Sequence, residues 1–479
     1  MTVQFILGRS GSGKTHYCLE AIKAELARSP QGCPLILLVP EQATFQMEQA
    51  LLTDGQLGGY NRANVLSFDR LARRILWETG TPQLPLLSEF GKQMVIRRLL
   101  QQLQGQITTF QRVTDRSGFV KQLSATISEL RQYRHKPEQL HLEHEQLSQV
   151  DDPALKPLTD KLTDLTLIYK SYQDYINNRF LDPDNFLDLA ASRCGQVSFL
   201  HKARLWVDGF AGFTPQQYHI LSGMIHFAER TEISLCLDPH SSQTRIAIDC
   251  PNEPARLDSA DLFHPTLQTY QRLLRLLDKE LEESVSPEPP ILLPFSTKTE
   301  NHSNDQQSAS DNGFLMPRFQ ESEPLACLEH NFLNRNNDKK GIDQPRPAVS
   351  GLNDIPVKNV VVVEAPQRRA EVEAAAQHIL CLCREHNYRF RDIAVILRDF
   401  TDYQELIEAV FSDYGIAYFI DRRRSVHHHP LIELLRSGLA ALVSDFKTEH
   451  VIDYLKTDLV PLPREAVDEL ENYCLAHGI

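Results

Sequence analysis

A chain of 479 residues with 42% hydrophobic content has room for about three domains of the usual ~100–200 residues, each with a real core. The apolar runs, such as Pro34 to Pro40 and Val360 to Val363, fall far short of the ~20 residues a membrane-spanning helix needs, and the N-terminus lacks a charged-then-apolar leader. A cytoplasmic protein without a membrane segment is expected. A net charge of -13 argues against wholesale polyanion binding. Nine cysteines without a Cys-x-x-Cys pair or companion histidine spacing argue against a zinc framework and for reduced thiols.

The first predicted element is a strand over Val3, Phe5, Ile6 and Leu7, running directly into Gly8-Arg9-Ser10-Gly11-Ser12-Gly13-Lys14-Thr15. That is a complete P-loop between a strand and a helix. Backbone N–H groups of such a loop wrap a β-phosphate, so side chains at Gly8, Gly11 and Gly13 would obstruct the approach. Lys14 reaches the β- and γ-phosphates, Thr15 offers a hydroxyl to Mg²⁺, and the helix beginning near Lys14 turns its positive end toward the anion. Binding of ATP with Mg²⁺ is therefore expected. Hydrolysis needs more: an acidic strand end and a group that positions water.

Further along, Pro34 to Pro40 reads as a strand buried on both faces, ending in Glu41-Gln42-Ala43-Thr44-Phe45-Gln46. A third strand, Val65 to Phe68, leads into Asp69-Arg70-Leu71. In an open parallel sheet, ligands gather at the carboxyl ends of strands, so these polar residues belong to the crevice of the P-loop. Residues 88–190 read as helical, with Val95, Leu99 and Leu103 at four-residue steps and Leu162, Leu165, Ile168, Tyr172 and Tyr175 at steps of three and four. The sheet resumes at Ala203 to Phe210 and again at Glu232 to Asp238. Residues 92–136 hold nine Lys/Arg against two Asp/Glu, which is either a DNA-facing surface or a solvated helical face.

From Glu282 to Pro356 the pattern dissolves into Pro, Ser, Asn, Asp and Gln, a linker with one amphipathic island at Ser322 to Phe332. A second α/β unit follows: strands at Val360 to Glu364, Ile393 to Leu397 and Ala417 to Ile420, with helices at Arg369 to Glu385 and Tyr403 to Tyr414. The expected organisation is 1–80, 81–195 (helical insertion), 196–280, 281–356 (linker), 357–425 and 426–479 (the start of a helical domain). Arg422-Arg423-Arg424 with His427-His428-His429 could form a phosphate-contacting loop, but adjacent loop histidines diverge and make a poor metal site. Cys381 and Cys383, two apart on a helix, face different sides and are equally poor.

This motif order resembles the UvrD-like superfamily-one helicases, which implies an α/β fold of two RecA-like P-loop domains with parallel sheets, a helical insertion in the first and a disordered linker between them. In that family the second acidic strand ends Asp-Glu. Here it reads Val207-Asp208-Gly209-Phe210-Ala211-Gly212-Phe213-Thr214-Pro215-Gln216-Gln217, so Asp208 remains, Gly209 replaces the glutamate, and the family's glutamine falls at Ala211. The third motif is reduced to Leu237-Asp238-Pro239. An intact P-loop beside a degenerate helicase body resembles the B subunit of AddAB-type helicase-nucleases. Val39 to Gln46, Leu66 to Leu71, Val207 to Phe210, Asp392 to Arg398 and Tyr418 to Asp421 carry the likeness.

The resemblance implies a heterodimer with an A subunit that supplies the motor, acting on DNA duplex ends in double-strand break repair. This subunit would guide single-stranded DNA and scan it for a short regulatory sequence. It implies ATP and Mg²⁺ at Gly8 through Thr15 with Asp208, Thr15 and Asp208 holding the metal, and Arg398 aimed at the γ-phosphate. It also implies DNA contacts from Gln42, Thr44, Phe68, Arg70 and Phe210. For Phe68 and Phe210 plain core packing competes, and for Arg398 a surface role. Family members are longer and carry a C-terminal nuclease domain with a cysteine-held iron–sulfur cluster, so this sequence is expected to be their N-terminal part. An active translocase using Glu41 as base, and a P-loop small-molecule kinase, stand as alternatives.

Overall fold

The computed structural model describes all residues except 30, 54–58, 81–83, 115, 150–151, 251–252, 254–255, 281–284, 294–317, 319–321, 333–359, 421–425, 427 and 479. Two compact units emerge, Met1–Val360 and Val361–Ile479.

The first unit is built on one parallel sheet of seven strands: β1 (Thr2–Gly8), β2 (Leu35–Leu38), β3 (Ala63–Leu66), β4 (Arg204–Val207), β5 (Arg230–Cys236), β6 (Ser286–Pro287) and β7 (Ile291–Leu293). Their order is β3-β2-β4-β5-β1-β6, with β7 also pairing β1. The register aligns Gly8 with Cys236 and Leu38 with Val207, which brings the carboxyl ends of β1, β5, β4 and β2 to one edge. Alternate residues serve two cores, as period-2 geometry requires of a sheet covered on both faces. Phe5, Leu7, Ile36, Leu38, Leu205 and Val207 enter one cluster, while Ile6, Leu35, Leu37 and Trp206 enter the other.

Helices α1 (Lys14–Arg28), α2 (Thr44–Thr53) and α3 (Phe68–Thr79) connect the first strands. The insertion then comprises α4 (Glu89–Gln102), α5 (Ser117–Gln132), α6 (Pro137–Ser148) and α7 (Lys156–Ile176), followed by α8 (Phe186–Ala191). Its neck closes where Leu87 N–H donates to Leu181 O at 2.9 Å and Leu181 N–H to Pro85 O at 2.9 Å. Val95, Leu99, Leu103, Ile168 and Tyr172 form its core, at the spacing the sequence predicts. Two of its basic residues are internal: Lys92 pairs with Asp184, and Arg131 Nη1 lies 2.6 Å from Asp182 Oδ2. The local positive charge therefore faces outward less than the sequence suggests.

Helices α9 (Pro215–Phe227), α10 (Ser242–Asp249) and α11 (His264–Glu280) complete the sheet's cover. Two strands, β6 and β7, lie within the stretch whose polar composition reads as linker, and both pair with β1. Leu293, 3% exposed, packs beside Ile6 and Leu37. The amphipathic island is α12 (Glu323–Phe332).

The second unit contains α13 (Arg368–Glu385), α14 (Gln404–Asp413), α15 (Pro430–Val443), α16 (Thr448–Leu455) and α17 (Arg464–His477). Among the described residues it holds no strand, so the second parallel sheet expected from chain order is not formed there. The reason lies in the pairing. Ile393, Leu397 and Ile420 pack on the α13–α14 cluster of Val372, Ile379 and Val410, whereas Val362, Ile396 and Phe419 are 92%, 92% and 89% exposed. The alternation is that of strands, but no ladder joins them.

Candidate nucleotide and DNA site

The loop after β1 is shaped by its glycines for two different reasons. Gly11 and Gly13 sit at φ 86° and 94°, the left-handed region that favours glycine. Gly8 is crowded instead: a Cβ there would lie 2.4 Å from Ser12 Oγ and 2.9 Å from the Leu293 carbonyl. Lys14 opens α1 and donates to the carbonyls of Gly8 and Arg9 at 2.7 and 2.9 Å. Burial pushes its ammonium below the ordinary lysine value, against the pull of Cys236 and Asp208. An ammonium held by two loop carbonyls in a partly desolvated cleft has the charge and position to meet a phosphate. Ser12 Oγ, 3% exposed, has no hydrogen-bond partner among the described residues.

Asp208 follows β4 directly. Its carboxylate accepts from Thr15 Oγ1 at 2.7 Å and from the Ser234 hydroxyl of β5, and its own N–H donates to Leu38 O at 3.0 Å. At 4% exposure it is fixed between three strand ends. Lys14, Thr15, Asp208, Ser234 and Cys236 line a cleft of about 690 Å³, a volume that suits a nucleotide. The donor set fits Mg²⁺, which takes one or two protein oxygens and completes its shell with phosphate and water. Among the described residues no group of three or more His, Cys, Asp or Glu could hold a metal by itself.

Gly209 is the position at which the resemblance to helicases leads one to expect a glutamate. Its φ is 82°, and a Cβ there would meet Pro40 Cδ at 3.3 Å. A side chain at Gly209 would therefore meet both an unfavourable backbone conformation and the Pro40 ring. Asp238 of the reduced third motif faces its own turn and accepts from His240 N–H at 3.0 Å. Glu41 is held away from the phosphate cleft's lining: it accepts from the Ser67 hydroxyl and lies 3.1 Å from Arg70 Nε.

The residues expected to face DNA separate into two groups. Gln42 and Arg70 are exposed, Arg70 bridging Glu41 and, at 3.6 Å, Glu48. Thr44 and Phe68, 2% and 4% exposed, are inside. Thr44 Oγ1 donates to Glu41 O at 2.9 Å, and Phe68 packs edge-on against Phe210 at 5.3 Å and Phe213 at 6.0 Å. Phe210 is half-buried and borders the phosphate cleft. Thr44 and Phe68 thus serve packing and capping, which a strand-end position in sequence does not reveal. Phe45 is 73% exposed and stands in the same string as Gln42 and Arg70's partner Glu41. It is an available stacking ring that sequence reasoning misses, because nothing local tells an outward phenylalanine from an inward one. Arg398 is exposed in the second unit. Of the basic and histidine cluster, Arg422, Arg423, Arg424 and His427 lie outside the described residues, and His429 Nδ1 caps α15 by accepting from Leu431 N–H at 3.2 Å.

Cys18 and Cys194 are buried free thiols, and burial pushes the Cys194 thiol up to about 12. No described helix is long and apolar enough to cross a membrane.

A family model described as "ADDB, N-terminal" matches residues 5–306. Over 479 residues the chain is 41% identical to the B subunit of an ATP-dependent helicase/deoxyribonuclease from Pelotomaculum thermopropionicum and 42% identical to the protein of the same name from Symbiobacterium thermophilum. A third, from Geobacillus kaustophilus, is 36% identical over 487 residues. All of this chain is covered in each case, but only 37%, 37% and 38% of those relatives. With a phosphate loop, a strand-end aspartate and this extent of likeness, the chain belongs to the AddB family of helicase/deoxyribonuclease B subunits and corresponds to their N-terminal part.

Proposed function

We propose that this chain is the nucleotide-binding, DNA-guiding part of a helicase-nuclease B subunit, with a phosphate site that binds ATP and Mg²⁺ but turns ATP over little. The observation that carries it is the left-handed Gly209 beside Asp208. The metal-side aspartate is held in place, while the next position is shaped against a glutamate. Mg²⁺, when bound, neutralises phosphate charge; Thr15 and Asp208 would hold it. The chain's own residues bind and orient: Lys14 leaves two carbonyls for the phosphates, and the Gly11 and Gly13 backbone wraps them.

A two-RecA-like architecture belongs to the same proposal. So do the A-subunit partner, the action on double-strand breaks and the scanning of single strands for a regulatory sequence. Exposed Gln42, Phe45 and Arg70 supply chemistry for single-strand contact, since aromatic rings stack bases for about 1–3 kcal/mol each and arginine adds charge and planarity. The test is paired. ATP binding that disappears in Lys14→Ala, with steady-state turnover near background, is expected; brisk turnover lost in Lys14→Ala overturns the inert site. Affinity for single-stranded oligonucleotides that falls with salt, and falls further in Arg70→Ala and Phe45→Ala, is expected; indifference to both substitutions overturns the DNA face.

A further inference from the structure

Helix α12 lies against the phosphate loop. Arg9, the residue after Gly8, sends its guanidinium to that helix: Nη2 is 2.6 Å from Glu329 Oε1 and donates to the Glu329 carbonyl at 2.9 Å. The two side chains are only 13% and 22% exposed, so water and salt screen the pair weakly. The carbonyl of the same Arg9 accepts from Lys14 Nζ at 2.9 Å. One residue thus joins the phosphate-binding lysine, through its backbone, to a helix 320 positions away, through its side chain.

Three further observations concern the same place. Leu325 and Leu328 of α12 line, with Leu262 and Phe263, an apolar cleft of about 630 Å³ beside the loop. Arg318, just ahead of α12, borders both this cleft and the phosphate cleft with Ser10 and Gly11. Arg9 Nε is buried without a partner among the described residues.

We propose that Arg318 and α12 form a strap that completes the nucleotide site from within the same chain, with Glu329 as the positioning residue for Arg9 and Arg318 as an added phosphate-side cation. The proposal rests on the nucleotide reading above. Its physical content is preorganisation. When phosphates draw Lys14 off the Gly8 and Arg9 carbonyls, the loop keeps its shape because Arg9 stays tethered, and less order has to be imposed by the ligand. Coupling of this kind is reciprocal, so ATP must in turn steady α12.

The experiment uses the whole 479-residue chain, titrated with a fluorescent ATP analogue and followed by amide hydrogen exchange across Glu323–Phe332. Glu329→Ala is expected to weaken binding about five- to tenfold, the lower range of such couplings. Glu329→Gln, which keeps size and the backbone contact while losing charge, should fall between. Arg318→Ala should weaken ATP and inorganic triphosphate alike. In the unmodified chain, saturating ATP should slow exchange in α12, and in Lys14→Ala it should not. Equal ATP affinity in wild type, Glu329→Gln and Glu329→Ala, or α12 exchange indifferent to bound ATP, overturns the strap while leaving the nucleotide site standing. Absence of any Lys14-dependent ATP binding overturns both. Because Glu329→Gln and the exchange readout do not require the alanine variant to fold, each outcome decides.

Discussion

Thr15 Oγ1 donates a 2.7 Å hydrogen bond to Asp208 Oδ2, reaching from the first turn of α1, the helix that follows β1, to the end of β4, which β5 separates from β1 in the sheet. The contact closes a distance of 193 residues in sequence and places side by side a hydroxyl and a carboxylate that, in the proposed function, would hold a phosphate-bound Mg²⁺. Asp208→Asn keeps the shape and removes the charge. It should erase the Mg²⁺-dependent part of ATP affinity, about tenfold or roughly 1.4 kcal/mol. Titrations in Mg²⁺ and in EDTA check this: the wild-type curves should separate and the variant's should coincide.

Restoring the glutamate should not restore an enzyme. At Gly209 the φ of 82° disfavours any side chain, and the Pro40 ring stands 3.3 Å from the new Cβ. Gly209→Glu is therefore expected to cost about 1–2 kcal/mol of stability and to leave ATP turnover near background. Gly209→Ala should show the same loss of stability with ATP binding intact. Thermal unfolding and a phosphate-release assay decide; a Gly209→Glu variant that hydrolyses ATP rapidly would refute the backbone argument.

Alkaline pH should weaken nucleotide binding earlier than an ordinary lysine allows. Burial lowers the Lys14 value in the free protein, and phosphates favour its charged form. Affinity should then be full below the depressed value and decline as pH rises through it, beginning below the usual 10.5. For stability the sign is opposite: the unfolded chain binds the proton more tightly, so the free protein gains stability as pH rises through the folded value. Lys14→Arg, which stays charged, should flatten the binding profile. Isothermal titrations at stepped pH provide the comparison.

The loop between β1 and α1 and the strand-end position of Asp208 were legible because their pattern is contiguous: Gly8 to Thr15 carry glycines, lysine and hydroxyl at fixed spacing after one apolar strand, and Asp208 follows another. Leu35 to Leu38 announced a strand buried on both faces, and all four are buried. Phe68 and Thr44 misled because a residue at a strand end reads the same whether its side chain turns to solvent or core, and three phenylalanines, Phe68, Phe210 and Phe213, chose one another. The Arg9–Glu329 pair could not be read at all, since no local pattern links a loop residue to a helix embedded in a polar stretch. In the second unit the alternation around Ile393 to Leu397 was visible, but ladder partners are set by tertiary arrangement and not by that alternation.

The insertion's polar heart offers the last test, because burial there turns one ion pair into a requirement. Arg131 and Asp182 are 8% and 2% exposed at 2.6 Å, and Tyr172 donates its hydroxyl to the same Asp182 oxygen at 2.8 Å. Lys92 and Ser128 join neighbouring Asp184. These contacts tie α4, α5 and α7 to the segment that returns to the sheet, so they fix where the insertion sits on its neck. Removing one member strands the others: Asp182→Ala leaves a buried guanidinium and should cost about 3–5 kcal/mol. Replacing both charges, Arg131→Met with Asp182→Leu, should cost less, since no charge is then stranded and only the neutral Tyr172 hydroxyl, Asp184 N–H and Asn185 Oδ1 lose their partners. Chemical denaturation of the two variants measures the gap. Equal losses would mean that the pair contributes packing alone, and that the orientation of the insertion depends on its apolar core.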